Sequence, residues 1–253
     1  MILNHKKYGD NGSCILIIHG IFGSLDNWHT VAQILGKSHQ VYTLDMRNHG
    51  YSPHTDTMSF NEMAQDIKEF MTQQDLSKCV LMGHSMGGKV AMQFALNFPK
   101  SLEKLIVVDI APKAYSAAHN PYFSAYKEIS FSAINSRKEL DEAFKHYETN
   151  DAVRLFLMKN IVSDGTGAYK LKINIVAIEK SYQEIVEALQ LHQIDVPSLF
   201  IAGDRSSYIK KDDKISIQQY FSNVKFATIA NAGHWVHAEN NVDFVAAVNN
   251  FMS

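Results

Sequence analysis

Three short stretches of this sequence hold residue types that, correctly placed, could carry nucleophilic acyl chemistry. Gly83-His84-Ser85-Met86-Gly87-Gly88 follows the apolar run Cys79 to Met82 and precedes a helical pattern. A serine between glycines at a strand-to-helix turn is the arrangement of a nucleophile elbow. The tight turn crowds side chains at the flanking positions, and the hydroxyl stands out at a helix N-terminus, where developing negative charge is favoured. His19-Gly20-Ile21-Phe22-Gly23-Ser24 follows the run Ile15 to Ile18. A tetrahedral oxyanion needs two backbone N–H donors, one from the residue after the nucleophile and one from a loop after an earlier strand. Met86 and Ile21 are the expected donors, with Phe22 the alternative in the loop. Asn231-Ala232-Gly233-His234-Trp235-Val236-His237 comes after the last apolar run and before the final helix. A nucleophilic serine needs a general base, and His234 arrives last in the chain to serve as one. His237 is expected behind it or facing an overlying segment; as metal ligands the two histidines lack a companion carboxylate or cysteine pattern.

The acid that would orient His234 has two candidates. Asp109, in Val-Val-Asp-Ile-Ala-Pro, ends the apolar run after the elbow helix; Asp204, in Ile-Ala-Gly-Asp-Arg, ends the next-to-last run. Either carboxylate could accept the Nδ1–H that fixes the imidazole tautomer, and spacing does not choose between them. Ser206 lies beside Asp204 and is a candidate auxiliary hydroxyl. Phe22, His84 and Trp235 flank the three motifs and are the candidate substrate contacts. Asp45 and Arg47, in Asp-Met-Arg-Asn-His-Gly-Tyr-Ser, are expected to form a loop-bracing ion pair near the site.

These residues need a scaffold, and the apolar pattern supplies one. Short β-branched runs at Cys14–Ile18, Val41–Leu44, Val80–Met82, Leu105–Val108, Ser198–Ala202 and Lys225–Ile229 read as strands buried on both faces. Helix-sized segments lie between them at Asp26–Leu35, Ser59–Gln74, Met86–Asn97, Asp213–Phe221 and Asn240–Met252. The alternation predicts an α/β fold with a mainly parallel central sheet flanked by helices, and residues 1–9 read as an antiparallel edge strand and turn. From about 113 to 193 the strands stop, and helical patterns run at Asn120–Ile129, Ser136–Tyr147, Asp151–Lys159 and Ile173–Leu191. So long a connection is read as a helical cap, residues 113–193, inserted after the sixth strand into a core of residues 1–112 and 194–253. Tyr122, Phe123, Tyr126, Phe156 and Met158 of that cap are expected to line an apolar acyl pocket.

Composition excludes other classes. The 253 residues carry 24 Lys plus Arg against 26 Asp plus Glu, a net charge of −2, and no clustered basic patch. Nucleic acid and anionic membrane surfaces are therefore not expected partners. Cys14 and Cys79 sit in apolar runs and read as buried thiols. The N-terminus lacks the apolar core of a signal peptide, and no apolar run reaches 18 residues, so the expected location is the cytoplasm.

Taken together, the motifs resemble the α/β-hydrolase superfamily over nearly the whole chain. More narrowly, His-Gly-Ile-Phe-Gly-Ser-Leu-Asp-Asn-Trp, Asp-Met-Arg-Asn-His-Gly-Tyr-Ser, Gly-His-Ser-Met-Gly-Gly-Lys, Val-Val-Asp-Ile-Ala-Pro and Ala-Gly-His-Trp-Val-His-Ala-Glu are similar to the YbfF-type bacterial esterases and the ABHD11-type hydrolases. The resemblance implies a capped serine esterase or thioesterase for small to medium acyl esters or acyl-CoA, with no cofactor. It also implies Asp109 as the triad acid and Ser206 as the auxiliary residue. The chain departs from that pattern with Ala-Gly-Asp-Arg-Ser, which keeps Asp204 as the alternative acid. A lyase or carbon–carbon bond hydrolase on the same fold would need cations for an anionic substrate, for which Lys113, Arg137, Arg154 and Lys172 are available. A non-catalytic binding protein is disfavoured because nucleophile, base and candidate acids are all present.

Overall fold

The computed structural model describes residues 1–165 and 167–253. In chain order the first part contains β1 (His5–Tyr8), β2 (Cys14–Ile18), α1 (His29–Leu35), β3 (Gln40–Leu44), α2 (Phe60–Gln73), β4 (Cys79–His84), α3 (Met86–Asn97) and β5 (Leu102–Val108). An insertion follows, with α4 (Asn120–Glu128), α5 (Arg137–Lys145), α6 (Asp151–Met158), β6 (Ile161–Ser163), β7 (Tyr169–Leu171), α7 (Ile175–Lys180) and α8 (Tyr182–Val186). The chain then returns through β8 (Ser198–Gly203), α9 (Lys211–Tyr220), β9 (Val224–Ile229), α10 (Val236–Glu239) and α11 (Asn241–Met252).

Seven strands form the central sheet in the order β1-β3-β2-β4-β5-β8-β9, parallel except for β1, which pairs antiparallel with β3. Strand alternation divides the core into two layers. Cys14, Leu16 and Ile18 of β2 pack with Phe70 and Val90 of α2 and α3, whereas Ile15 and Ile17 pack with Val31, Phe244 and Val248 of α1 and α11. Both faces of the inner strands are thus covered, which is why they read as unbroken apolar runs. The helix α2 begins where expected because Ser59 accepts the Glu62 N–H while the Glu62 carboxylate accepts the Ser59 N–H.

The parallel register has the consequence that matters for chemistry. Ile18 of β2 pairs with Gly83 of β4, and His84 of β4 pairs with Val108 of β5. The loops that follow β2, β4, β5, β8 and β9 therefore emerge side by side at the carboxyl edge of the sheet, the usual crevice of an open α/β sheet.

The insertion differs from the expectation in three respects. It follows β5, the fifth strand of the chain rather than the sixth, since the edge strand and the four apolar runs before residue 113 make five. It contains a hairpin, β6–β7, in which Ile161 pairs with Leu171 and Ser163 with Tyr169. The signal was the turn sequence between them, where Gly165 and Gly167 take φ +88° and +102°. The long helical pattern over Ile173–Leu191 is divided at Ser181 into α7 and α8. Among the described residues, no helix is long and apolar enough to cross a membrane.

Candidate active site

Ser85 sits between β4 and α3 at φ +53°, ψ −121°, held by its N–H on the Val108 carbonyl at 3.0 Å. A non-glycine residue in this region is strained, and the strain is sustained by close approach on both sides. A Cβ at Gly83 would lie 2.0 Å from the Gly87 carbonyl oxygen, and one at Gly87 would lie 2.5 Å from the His19 carbonyl oxygen. Only glycine fits at either position, which is the physical content of the Gly-x-Ser-x-Gly spacing. Phe22, Asp109 and Asn231 also take positive φ, at 59°, 50° and 57°. Each lies in the loop following a different strand, so the strained positions converge on one crevice.

The loop containing Ile21 is braced by two buried imidazoles. His19 Nδ1–H donates to the Gly20 carbonyl at 2.7 Å while its Nε2 accepts the Met46 N–H at 3.0 Å. His49 Nδ1–H donates to the Arg47 carbonyl at 3.0 Å, and its Nε2 accepts the Phe22 N–H at 3.3 Å. Burial pushes both rings down, to about 4 and about 3, so both remain neutral acceptors at ordinary pH. The Phe22 N–H is consequently occupied. The Phe22 carbonyl accepts the side-chain amide of Asn160 from the insertion at 2.7 Å. Ile21 N–H has no acceptor among the described residues, and Met86 N–H, at the first position of α3, has none within its helix. The two expected oxyanion donors are thus the uncommitted ones.

His234 Nδ1 lies 2.8 Å from Asp109 Oδ2. The same carboxylate oxygen accepts the Ser206 hydroxyl at 2.5 Å, and Oδ1 accepts the Gly203 N–H at 3.3 Å. Asp109 is fully buried and Asp204 is exposed. Asp204 Oδ1 accepts the Ala232 N–H at 3.1 Å, so this carboxylate braces the loop bearing His234 and does not meet the ring. Glu239 holds the same loop through the Gly233 and Trp235 N–H groups at 2.8 and 3.2 Å, and His84 Nε2–H donates to the His234 carbonyl at 2.8 Å. The Tyr208 ring stacks on the imidazole at 3.8 Å, 15° from parallel. Sequence reasoning missed Tyr208, His49 and Asn160; the one local signal was the position of Tyr208 two residues after Ser206.

Other expectations need correction. Asp45 and Arg47 do not pair. Asp45 accepts the Leu25 and Tyr51 N–H groups at 2.7 and 2.9 Å, whereas Arg47 forms a bidentate bridge to Asp66 of α2 at 2.7 and 2.9 Å. Donors from three segments, Asn4, Leu25 and Tyr51, satisfy Asp45, and the planar guanidinium finds a matching carboxylate on the helix. His237 takes the first of its two expected places, behind the site, its ring 5.0 Å from that of His84. It is buried and stacked on Trp28 at 3.9 Å. Among the described residues, no cluster of three or more His, Cys, Asp or Glu is placed to hold a metal ion.

Ser85 opens onto two cavities. One, about 710 Å³, is lined by His234, Phe22, His84, Trp28, Tyr122, Phe156 and Trp235 among others. All three candidate substrate contacts lie on it. The other is about 40 Å³ and contains Met86, Ile110, Tyr115, Tyr182, Ile185 and Val186 in its wall. Of the five cap residues expected to line a pocket, Tyr122 and Phe156 do so; Phe123, Tyr126 and Met158 are buried in the core instead.

The decisive comparison is with a family model described as alpha/beta hydrolase fold, which matches residues 14–241. The chain belongs to the α/β-hydrolase family. It is 35% identical to an sn-1-specific diacylglycerol lipase ABHD11 of Danio rerio, over 94% of this chain and 78% of the relative. It is 33% identical to the esterase YbfF of Escherichia coli, over 96% and 94% of the two chains. A solved structure of a marine microorganism esterase superposes with a TM-score of 0.95 at 40% identity, covering 98% of each chain.

The buried acid–base pair predicts a pH profile. Burial pushes the Asp109 carboxyl up, to about 7, against the opposing hydrogen bonds from Ser206 and Gly203. Burial also pushes the His234 imidazole down. The pair carries one buried negative charge when fully deprotonated, and uptake of a proton removes both that charge and the base, so the apparent pKa belongs to the pair. Rate against a neutral ester should be flat above about pH 7 and fall tenfold per pH unit below it. A kcat/KM profile that stays flat down to pH 5 would contradict this assignment.

Proposed function

We propose that this hydrolase is a serine esterase in which Ser85, His234 and Asp109 form the catalytic triad and Ser206 supports the acid. The observation that carries the reading is the 2.8 Å contact between His234 Nδ1 and buried Asp109, on the wall of the cavity that also exposes the strained Ser85. Ser85 Oγ attacks the acyl carbonyl as His234 Nε2 takes its proton. The carbonyl π pair moves onto oxygen, which the Ile21 and Met86 N–H groups hold. The pair returns as the carbon–oxygen bond to the alcohol breaks, and His234 delivers the proton to the departing alkoxide. Water then repeats the sequence on the acyl-enzyme, releasing the carboxylic acid and restoring Ser85. No step calls for a cofactor. A thioester follows the same course with thiolate as the leaving group.

Residues 113–193 act in this reading as a cap over the carboxyl edge of the sheet. The relatives named esterase and lipase support ester cleavage as the reaction, and a small-molecule ester as the substrate. The lyase alternative is less favoured, since the four cations named for it make contacts of their own. Arg154 is bound by Asp141 and Asp151 at 2.6 and 2.8 Å, Lys113 by Asp213 at 2.5 Å, Arg137 by two backbone carbonyls, and Lys172 lies over the Tyr51 ring.

A fluorophosphonate probe tests the nucleophile directly. Native protein should gain one phosphonyl adduct, mapped by peptide mass spectrometry to Ser85, and heat-denatured protein should gain none. Labelling at another serine, or none under native conditions, would remove Ser85 from the role.

A further inference from the structure

The two cavities that meet at Ser85 are not equivalent, and the direction of proton transfer tells them apart. The group that leaves a tetrahedral intermediate must receive its proton from the imidazole, so it departs on the His234 side. His234 lines the 710 Å³ cavity and not the 40 Å³ one; Met86, an oxyanion donor, lines the small one and not the large one; Ser85 and Ile21 line both. We infer that the small pocket receives the acyl chain and the large cavity the alcohol or thiol, making the substrates short-acyl esters of bulky leaving groups. This rests on the serine esterase reading above, and assigns the residues expected from sequence to hold an acyl chain, Tyr122 and Phe156, to the leaving group.

Size sets the limit. The small pocket, about 40 Å³ beside about 710 Å³ in the large cavity, is the tighter of the two by more than tenfold, so the acyl chain it takes is a short one, acetyl to butyryl. The wall is mainly apolar, with Ile110, Tyr115, Tyr182, Ile185 and Val186 beside the polar Ser116 and His119. It is also locked. Lys89, buried four residues after Ser85 on α3, donates to the carbonyls of Ile185 and Glu187 at 3.0 and 2.5 Å. Its ammonium lies 5.3 Å from the Tyr115 ring centroid, and Tyr115 N–H binds the Val186 carbonyl at 2.8 Å. A pocket closed by a satisfied buried cation and a backbone hydrogen bond has little freedom to widen around a longer chain.

The large cavity has the opposite character. Apolar Phe156 and Trp235, in contact at 5.3 Å between ring centroids, share its lining with polar Asp26, Asn27, Thr30, Lys159 and Glu239. Such a lining suits a bulky group with both apolar and polar portions, and about 710 Å³ lies within the range of sites for drug-sized molecules.

The test holds the leaving group fixed and varies the acyl chain, using p-nitrophenyl esters from acetate to decanoate with wild type, Ser85→Ala, Val186→Ala, Ile185→Ala and Phe156→Ala. Wild-type kcat/KM should peak between acetate and butyrate and be at least about tenfold lower at octanoate, given the discrimination that one misfitting methylene brings in a filled pocket. Val186→Ala or Ile185→Ala should move the peak to longer chains, and Phe156→Ala should leave it in place. Ser85-dependent turnover that peaks at octanoate or beyond, or a peak that moves with Phe156→Ala alone, would overturn the acyl assignment and leave the esterase reading intact. Turnover without dependence on Ser85 would overturn both. The wild-type series decides the size limit even if a widened variant does not fold.

Discussion

Ser85→Ala should lower kcat for an ester that wild type cleaves by about a million-fold, with KM changed little. In the proposed mechanism the hydroxyl oxygen forms the covalent bond to the acyl carbon, and alanine has no atom to take its place. Among the cavity-lining residues no second serine, threonine or cysteine hydroxyl or thiol shares the strained turn at φ +53°. The oxyanion donors and the cavity would persist, so a residual acceleration over water of about 10³–10⁴ should remain. Alanine removes one oxygen and keeps Cβ, so the turn and its hydrogen bond to Val108 survive. Steady-state assays on purified protein, with thermal melts to confirm an intact fold, read the outcome. A loss smaller than about a hundredfold would mean that the chemistry does not pass through this serine.

Asp109→Asn should lower kcat by about 10⁴-fold, while Asp204→Asn stays within a few-fold of wild type. Asparagine is the least disruptive change at position 109, because it tolerates the positive φ of 50° found there. It reverses one hydrogen bond, however. The carboxylate accepts from His234 Nδ1, Ser206 and Gly203, and an amide nitrogen turned toward the imidazole must donate where it should accept. The ring then presents its Nε2 as a donor toward Ser85 and can no longer act as a base. Asp204 accepts backbone N–H groups, Asn231 and Ala232 of the His234 loop among them, and an asparagine oxygen can still accept these. Comparing kcat for the two variants on the same ester decides between the carboxylates, and the reverse pattern would make Asp204 the acid.

Much of this was written locally. The elbow is legible because a glycine is demanded wherever backbone approaches within about 2–2.5 Å of a would-be Cβ, and those demands fall at fixed offsets from Ser85. The inner strands are legible because both their faces are buried, and α3 begins and ends at Met86 and Asn97 as its pattern predicts. The β6–β7 hairpin is not legible in the sequence because its strands are three residues long and only Ile161 among their ends is buried. An apolar period that short cannot be told from a helix margin.

The sequence by itself determined which side chains were available for chemistry and at which strand ends they would stand, since turn geometry and burial act over a few residues. The tertiary structure decided how they combine. Asp109 and Asp204 both end parallel strands, β5 and β8, that are hydrogen-bonded neighbours, so no count along the chain could say which carboxylate meets the ring. Packing decided it: the loop after β9 is held by Asp204 and Glu239, and this carries His234 past the end of β8 to the buried carboxylate on β5. The same holds for Arg47, whose partner lies 19 residues away on α2, and for Lys89, which locks a wall 96 residues distant. The division of the space around Ser85 into a small and a large cavity is likewise a product of packing. It depends on where the insertion rests against the sheet edge, a relation between segments that each read alone as ordinary helix.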